Sequence, residues 1–123
     1  MSVPAPSRSR ALLGAAAVAL VVQGVVLYAP EGPGVSPFPH ADKVVHVAVF
    51  AVPAVLLLLV GVHVRAVVLG LAGHAVLSEV LQGTLLPARS GDPLDAVADL
   101  VGVALGVGVA VALRRSERGP TRW

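Results

Sequence analysis

Four unbroken apolar stretches, residues 11–28, 44–62, 66–86 and 94–113, make up most of this 123-residue chain and carry only three charged side chains, Glu79, Asp95 and Asp99. Each holds 18 to 21 residues. At a helical rise of about 1.5 Å per residue each reaches ~27 to 31 Å, the thickness of a bilayer's hydrocarbon core. The sequence therefore predicts an all-α membrane protein, a bundle of four transmembrane helices. Charged residues are 13% of the chain against roughly 25% in soluble domains, which argues against a water-soluble globule. Connections of 15, 3 and 7 residues between the stretches leave no room for an extramembrane domain of ordinary size. The expected organisation is a tail at 1–10, a membrane domain at 11–113 and a basic tail at 114–123.

The basic residues set the expected orientation. With the N-terminus inside, Arg8, Arg10, Arg65, Arg114, Arg115, Arg118 and Arg122 are cytoplasmic, and only Lys43 and Arg89 lie outside. That bias satisfies the positive-inside rule and places both termini in the cytoplasm. A cleaved signal at the first stretch is the weaker alternative. The run exceeds the usual h-region, Leu27 is a poor residue two before Ala29, and Pro30 would follow the cut. The net charge of +2 does not point to nucleic acid, because the basic residues flank membrane spans without accompanying aromatics. The absence of cysteine removes disulfides, thiolate metal sites and cysteine nucleophiles.

Pro30, Pro33, Pro37 and Pro39 with Gly32 and Gly34 cannot propagate a helix or sheet, so the first connection should be an irregular external loop. The second turn, around Gly61 and His63–Arg65, is short enough to make helices two and three antiparallel neighbours. The third, 87–93, contains Arg89, Ser90, Gly91 and Asp92.

Placed at their depths, the polar residues gather at the external end. His46 enters helix two, Glu79 and Gln82 lie within ~10 Å of the outer end of helix three, and Asp95 and Asp99 enter helix four from the same face. Asp42, Lys43, Arg89 and Asp92 flank them. Helical phase puts Ser78, Glu79 and Gln82 on one face, with His74 a turn below Ser78, and aligns Asp92, Asp95, Asp99, Gly102 and Gly106 on another. Gly102 and Gly106 are predicted helix-packing residues that let another helix approach closely in lipid. Ionisable groups at membrane depth are costly unless paired or hydrated, so Glu79, Asp95 and Asp99 are read as facing a polar cavity. The competing reading is a hydrogen-bonded structural network around Arg89 or Lys43. Pro53, seven residues after His46, is a candidate bend that opens the cavity, or else a tolerated membrane proline.

These residues also carry a family resemblance. The Asp42–Lys43–Val44–Val45–His46 run with Phe50, then Ser78, Glu79 and Gln82, then Pro87, Arg89, Asp92 and Asp95, closed by Gly102 and Gly106, resembles the VanZ-like family over roughly 42–106. The resemblance implies a small multispanning protein of the bacterial cytoplasmic membrane, related to a factor associated with teicoplanin resistance. It brings no agreed reaction with it. Where an asparagine is expected in that family, four residues after Asp95, this chain has Asp99.

The candidate substrate-binding set is thus Asp42, Lys43, His46, Glu79, Gln82, Arg89, Asp92, Asp95 and Asp99. The leading expectation is a factor acting at the outer face on a lipid headgroup, an envelope precursor or an amphiphilic antibiotic such as a glycopeptide. In it Arg89 and Lys43 engage phosphate or carboxylate, the acids and Gln82 hold the ligand or those cations, and His46 supplies a donor or acceptor. A second class is an enzyme on a lipid-linked or peptidoglycan-related substrate, with Glu79 or His46 as general base, although no recognised nucleophile motif is present. Ser78 near His74 invites a triad, but His74 lies near mid-membrane and reads better as a hydrogen-bonded packing residue. A third is an ion or proton pathway through His74, Glu79 and Asp99, for which the inner half lacks a next carrier. A divalent cation on Glu79, Asp95 and Asp99 was weighed against a metal-free carboxylate layer, and the latter is preferred, with no cofactor. The expected partner is the lipid bilayer, with oligomerisation left open.

Overall fold

The computed structural model describes residues 6–29, 37–86 and 92–118. The proline-rich segment 30–36, Arg89 and Arg122 lie outside the described residues. Four helices follow one another: α1 (Pro6–Tyr28), α2 (Ala41–Val60), α3 (Val64–Thr84) and α4 (Pro93–Arg118). All four are long and apolar enough to cross a membrane. They extend the apolar stretches at several ends. α1 and α4 continue into residues 6–10 and 114–118, expected as tails, and α2 starts at Ala41, before the apolar run. Lipid-compatible side chains mark where a helix can be buried, whereas the backbone ladder continues into polar residues until a capping signal stops it. Beyond the apolar runs, Arg8 of α1 and Glu117 of α4 form an exposed ion pair at 3.2 Å.

Two helix ends show how local sequence sets these limits. α2 stops at Gly61, whose φ of 109° suits glycine alone among common residues. The Gly61 N–H donates to the Leu58 carbonyl at 3.1 Å and the Val62 N–H to that of Leu57 at 3.0 Å, the paired bonds of a Schellman stop. Arg114 of α4 donates to the same Leu58 carbonyl, placing a cation at the negative end of the α2 dipole. α4 starts on an Asp-Pro pair. Asp92 Oδ1 accepts from the Leu94 N–H at 3.0 Å, and Pro93 occupies the first helical position, where a missing N–H costs nothing.

α2 is the central helix, and its most extensive contact is with α4. Contacts pair Lys43 with Asp95, His46 with Asp99, Val47 with Gly102, Ala51 with Gly106 and Leu58 with Arg114. The near-constant offset in residue number means that α2 and α4 run parallel in a single register. The seam is glycine against backbone. A Cβ on Gly102 would collide with the Val47 carbonyl oxygen and lie 3.0 Å from Phe50 Cβ. One on Gly106 would lie 2.5 Å from the Ala51 oxygen and 2.6 Å from Ala54 Cβ. The predicted helix-packing role of both glycines therefore has a specific partner, one face of α2.

α1 packs on α2, while α3 packs on α4 and, less extensively, on α2 despite the short turn joining them. The interior uses small residues, with Ala16, Ala54, Ala75 and Ala110 buried around Phe50, Leu27, Leu58 and Val67. Large side chains such as Val21, Leu69, Leu77 and Leu105 face outward. This inverted size pattern suits lipid, where close backbone packing rather than hydrophobic burial holds helices together.

Gly102→Ala and Gly106→Ala should each destabilise the bundle by about 1–3 kcal/mol through overpacking. Gly108→Ala, with nothing within 4 Å of its added carbon, should instead stabilise by up to about 1 kcal/mol through helix propensity. Reversible unfolding in mixed micelles distinguishes the two responses.

Candidate functional site

The parallel register of α2 and α4 brings their N-terminal turns side by side at what is called here the Lys43 end. Each turn begins with acids, Asp42 in α2 and Asp95 in α4, which the helix dipoles favour at that position. Lys43 lies among them. Its ammonium donates to Asp42 Oδ2 at 2.8 Å, Asp92 Oδ2 at 2.8 Å and Asp95 Oδ1 at 2.5 Å. Three carboxylates use all three N–H donors of a lysine. The Lys43 ammonium holds the Asp92 carboxyl below the usual carboxylate range, since an adjacent cation favours the charged form.

One turn deeper, His46 Nδ1 meets Asp99 Oδ1 at 2.7 Å, while Nε2 faces Asp95 Oδ2 at 3.8 Å. With Asp99 ionised, Nδ1 carries the proton and donates. Asp92, Lys43, Asp95, His46 and Asp99 thus form a ladder of alternating acids and bases that descends from an accessible rung to a closed one. The Asp92 side chain is 41% exposed and that of Asp99 0%. Below Asp99 the ladder gives way to the Gly102 and Gly106 seam.

Glu79 joins from α3. Its Oε1 accepts the Asp92 N–H, so it secures the entry into α4 that Asp92 caps. Its Oε2 and the Oδ2 of Asp99 are buried atoms with no hydrogen-bond partner among the described residues. The structure therefore unites Asp42, Lys43, His46, Glu79, Asp92, Asp95 and Asp99, and leaves Arg89 outside the described residues. Gln82 does not join them. Its amide donates to the Leu27 carbonyl at 2.6 Å, an orphan acceptor in the last turn of α1, so Gln82 ties α3 to the end of α1. Lys43 is held by three acids, as the expectation that acids hold the cations in place has it, and its three N–H donors are all engaged. Among the described residues, no group of three or more His, Asp or Glu is arranged to hold a metal ion.

A second polar chain lies deeper in the bundle, and only its histidine was a candidate from the sequence. Pro53 has no N–H, so the Val49 carbonyl four residues earlier loses its helical donor. Gln23 of α1 replaces it, its Nε2 donating to Val49 O at 2.8 Å. This fixes the amide so that Oε1 accepts from His74 Nδ1 at 2.8 Å. The other ring nitrogen then accepts from the Tyr28 hydroxyl at 2.6 Å. His74 is thereby a hydrogen-bonded packing residue linking α1 and α3. Ser78 directs its hydroxyl to the Ala75 carbonyl at 3.0 Å, so Ser78 and His74 do not form a nucleophile and base pair. Pro53 lines an apolar groove between α1 and α2 with residues such as Gly14, Val18 and Leu56, on the side of α2 away from the ladder. It is not a gate to the Lys43 layer. Phe50, fully buried, stacks obliquely 6.0 Å from His74 and separates the two networks.

Lys43→Met should cost near the lower end of about 3–5 kcal/mol, because it strands neighbouring carboxylates in a partly buried site. Asp92→Asn, at the exposed rung, should cost much less, because solvent screens that pair. For the deeper chain, Gln23→Leu should cost ~1–2 kcal/mol for two intramembrane hydrogen bonds, and less when Pro53→Ala restores a donor to Val49. A double-mutant cycle measures that coupling.

No protein-family model matches the sequence, and comparison with curated proteins and with solved structures gives no match.

Proposed function

We propose that this chain is a VanZ-like integral membrane protein of the bacterial cytoplasmic membrane. In this reading it acts at the outer face on an envelope component or an amphiphilic antibiotic, a cell-envelope or glycopeptide-resistance role. The observation that carries the proposal is the pair of buried carboxyl oxygens, Asp99 Oδ2 and Glu79 Oε2, left without a hydrogen-bond partner among the described residues. A bare buried polar group costs about 1–3 kcal/mol, and such costs are tolerated where a ligand can relieve them.

Three further points support this reading. The arginine bias puts the Lys43 end outside under the positive-inside rule. The layer sits at the depth where headgroups meet acyl chains, so an amphiphile can present its polar part while its tail stays in lipid. The ordered set from Asp42 to Gly106 resembles the VanZ-like family, which supplies the bacterial envelope context. The enzyme reading is weaker, because the sequence carries no recognised nucleophile motif and the Ser78 hydroxyl is bonded to the Ala75 carbonyl. The pathway reading is weaker as well, because the His74 chain ends on a backbone carbonyl.

The test is complementation of a null strain with wild type, Glu79→Gln, Asp95→Asn or Arg89→Ala, scoring protection against teicoplanin and other envelope-active compounds beside membrane abundance. Glu79→Gln and Asp95→Asn are expected to insert at wild-type abundance and lose protection. Protection retained by both variants, or lost only in step with protein level, would make the layer structural.

A further inference from the structure

We infer that the group taken at the Lys43 end is an ammonium, a protonated primary amine carried by an amphiphile's headgroup or by a soluble amine. This rests on the reading of that layer as a binding site and adds the chemistry of its ligand.

The ladder is short of hydrogen-bond donors. Among the described residues at this end, Asp42, Glu79, Asp92, Asp95 and Asp99 face only Lys43 and His46 as titratable cations. Carboxyl groups outnumber bases even with His46 protonated. Asp99, at the bottom of the layer, is completely buried, with Oδ1 on His46 and Oδ2 on nothing. Glu79 repeats the pattern, with Oε1 on the Asp92 N–H and Oε2 bare. Both unsatisfied atoms are acceptors, and both belong to acids.

Ligand classes separate on that basis. A phosphate or carboxylate brings further acceptors and negative charge to a layer in which, among the described residues, the lysine has no proton left to offer. A neutral hydroxyl supplies a donor without charge. A quaternary ammonium supplies charge without an N–H. A primary ammonium supplies both, with three N–H groups in diverging directions, and charge-assisted N–H bonds to carboxylates are the strong ones. The way in is the Lys43 and Asp92 rung, whose side chains are partly exposed. There an incoming ammonium is chemically equivalent to the lysine head it meets, so exchange strands no carboxylate.

The experiment uses the full chain in nanodiscs of phosphatidylcholine doped with phosphatidylethanolamine or with phosphatidylglycerol, reading the lipids retained by native mass spectrometry. Wild type should retain phosphatidylethanolamine over phosphatidylcholine by on the order of tenfold, the worth of one charge-assisted bond. Asp99→Asn, whose amide brings its own donor while keeping an oxygen for His46, should abolish that preference at unchanged folded yield. Glu79→Gln provides a second, independent reading of the same loss. Competition by excess free ethanolamine assigns an ammonium site open to water, and preference without competition assigns a lipid-borne amine entering from the bilayer. Equal retention of the ethanolamine and choline lipids by wild type, or preference unchanged in both variants, overturns the inference. Selective retention of phosphatidylglycerol that Asp99→Asn removes overturns the ammonium alone and leaves the binding layer standing. No selective retention of any lipid, with no stabilisation by free ethanolamine, removes both.

Discussion

The close approach of α4 to α2 is the contact on which the rest of the molecule depends. Gly102 and Gly106 bring the α4 backbone against the Val47 and Ala51 carbonyls, and only residues without a Cβ allow this separation. The separation and the parallel register together decide what happens one and two turns above. Lysine and histidine on α2 fall opposite aspartates on α4, within direct hydrogen-bonding distance. A wider interhelical gap would put water or lipid between them, and the acids would then face the full cost of ionisation at membrane depth. The glycine seam thus permits the charges, and the charges tie the helices where no glycine does.

Much of this architecture is legible in the sequence because lipid imposes a strong filter. Only long apolar runs can cross a bilayer, and helical phase on a single helix follows from residue spacing, so the four spans, the acids of α4 and the glycines beneath them can be read directly. Relations between helices are harder to read. Phase puts Gln82 with Glu79 on α3 but does not reveal that the last turn of α1 presents an unsatisfied carbonyl at the height of Gln82. Gln23 had a readable signal in Pro53, since a buried proline always frees the carbonyl four residues before it. Which side chain answers that carbonyl depends on how α1 packs against α2, which spacing does not disclose. The saturation of Lys43 was hidden for the same reason. Three carboxylates from two helices and a helix cap converge on it, and spacing alone does not disclose that all three reach the same ammonium.

The two polar networks differ in how completely their groups are satisfied. In the Tyr28, His74, Gln23 and Val49 chain every donor among those bonds has an acceptor, and the chain closes on the backbone defect that Pro53 creates. Fully satisfied buried networks of this kind specify one packing arrangement. The ladder at the Lys43 end has Lys43 fully paired, and among the described residues two of its carboxylates, Glu79 and Asp99, each keep one buried oxygen bare. That asymmetry separates a layer that only holds the bundle together from one able to accept something else.

The order of the ladder's members along the chain bears on how the protein enters the membrane. Lys43 and His46 belong to α2, while Asp95 and Asp99 belong to α4, which leaves the ribosome after α2 and α3. A helix bearing two acids is a poor candidate for insertion on its own apolarity. When α4 emerges, its counter-charges already stand in the bilayer on α2, so the late helix is received by its partner and its acids need not cross unpaired. Reversing the assignment, with acids on α2 and bases on α4, would keep every native contact and yet leave carboxylates waiting in lipid through the synthesis of α3.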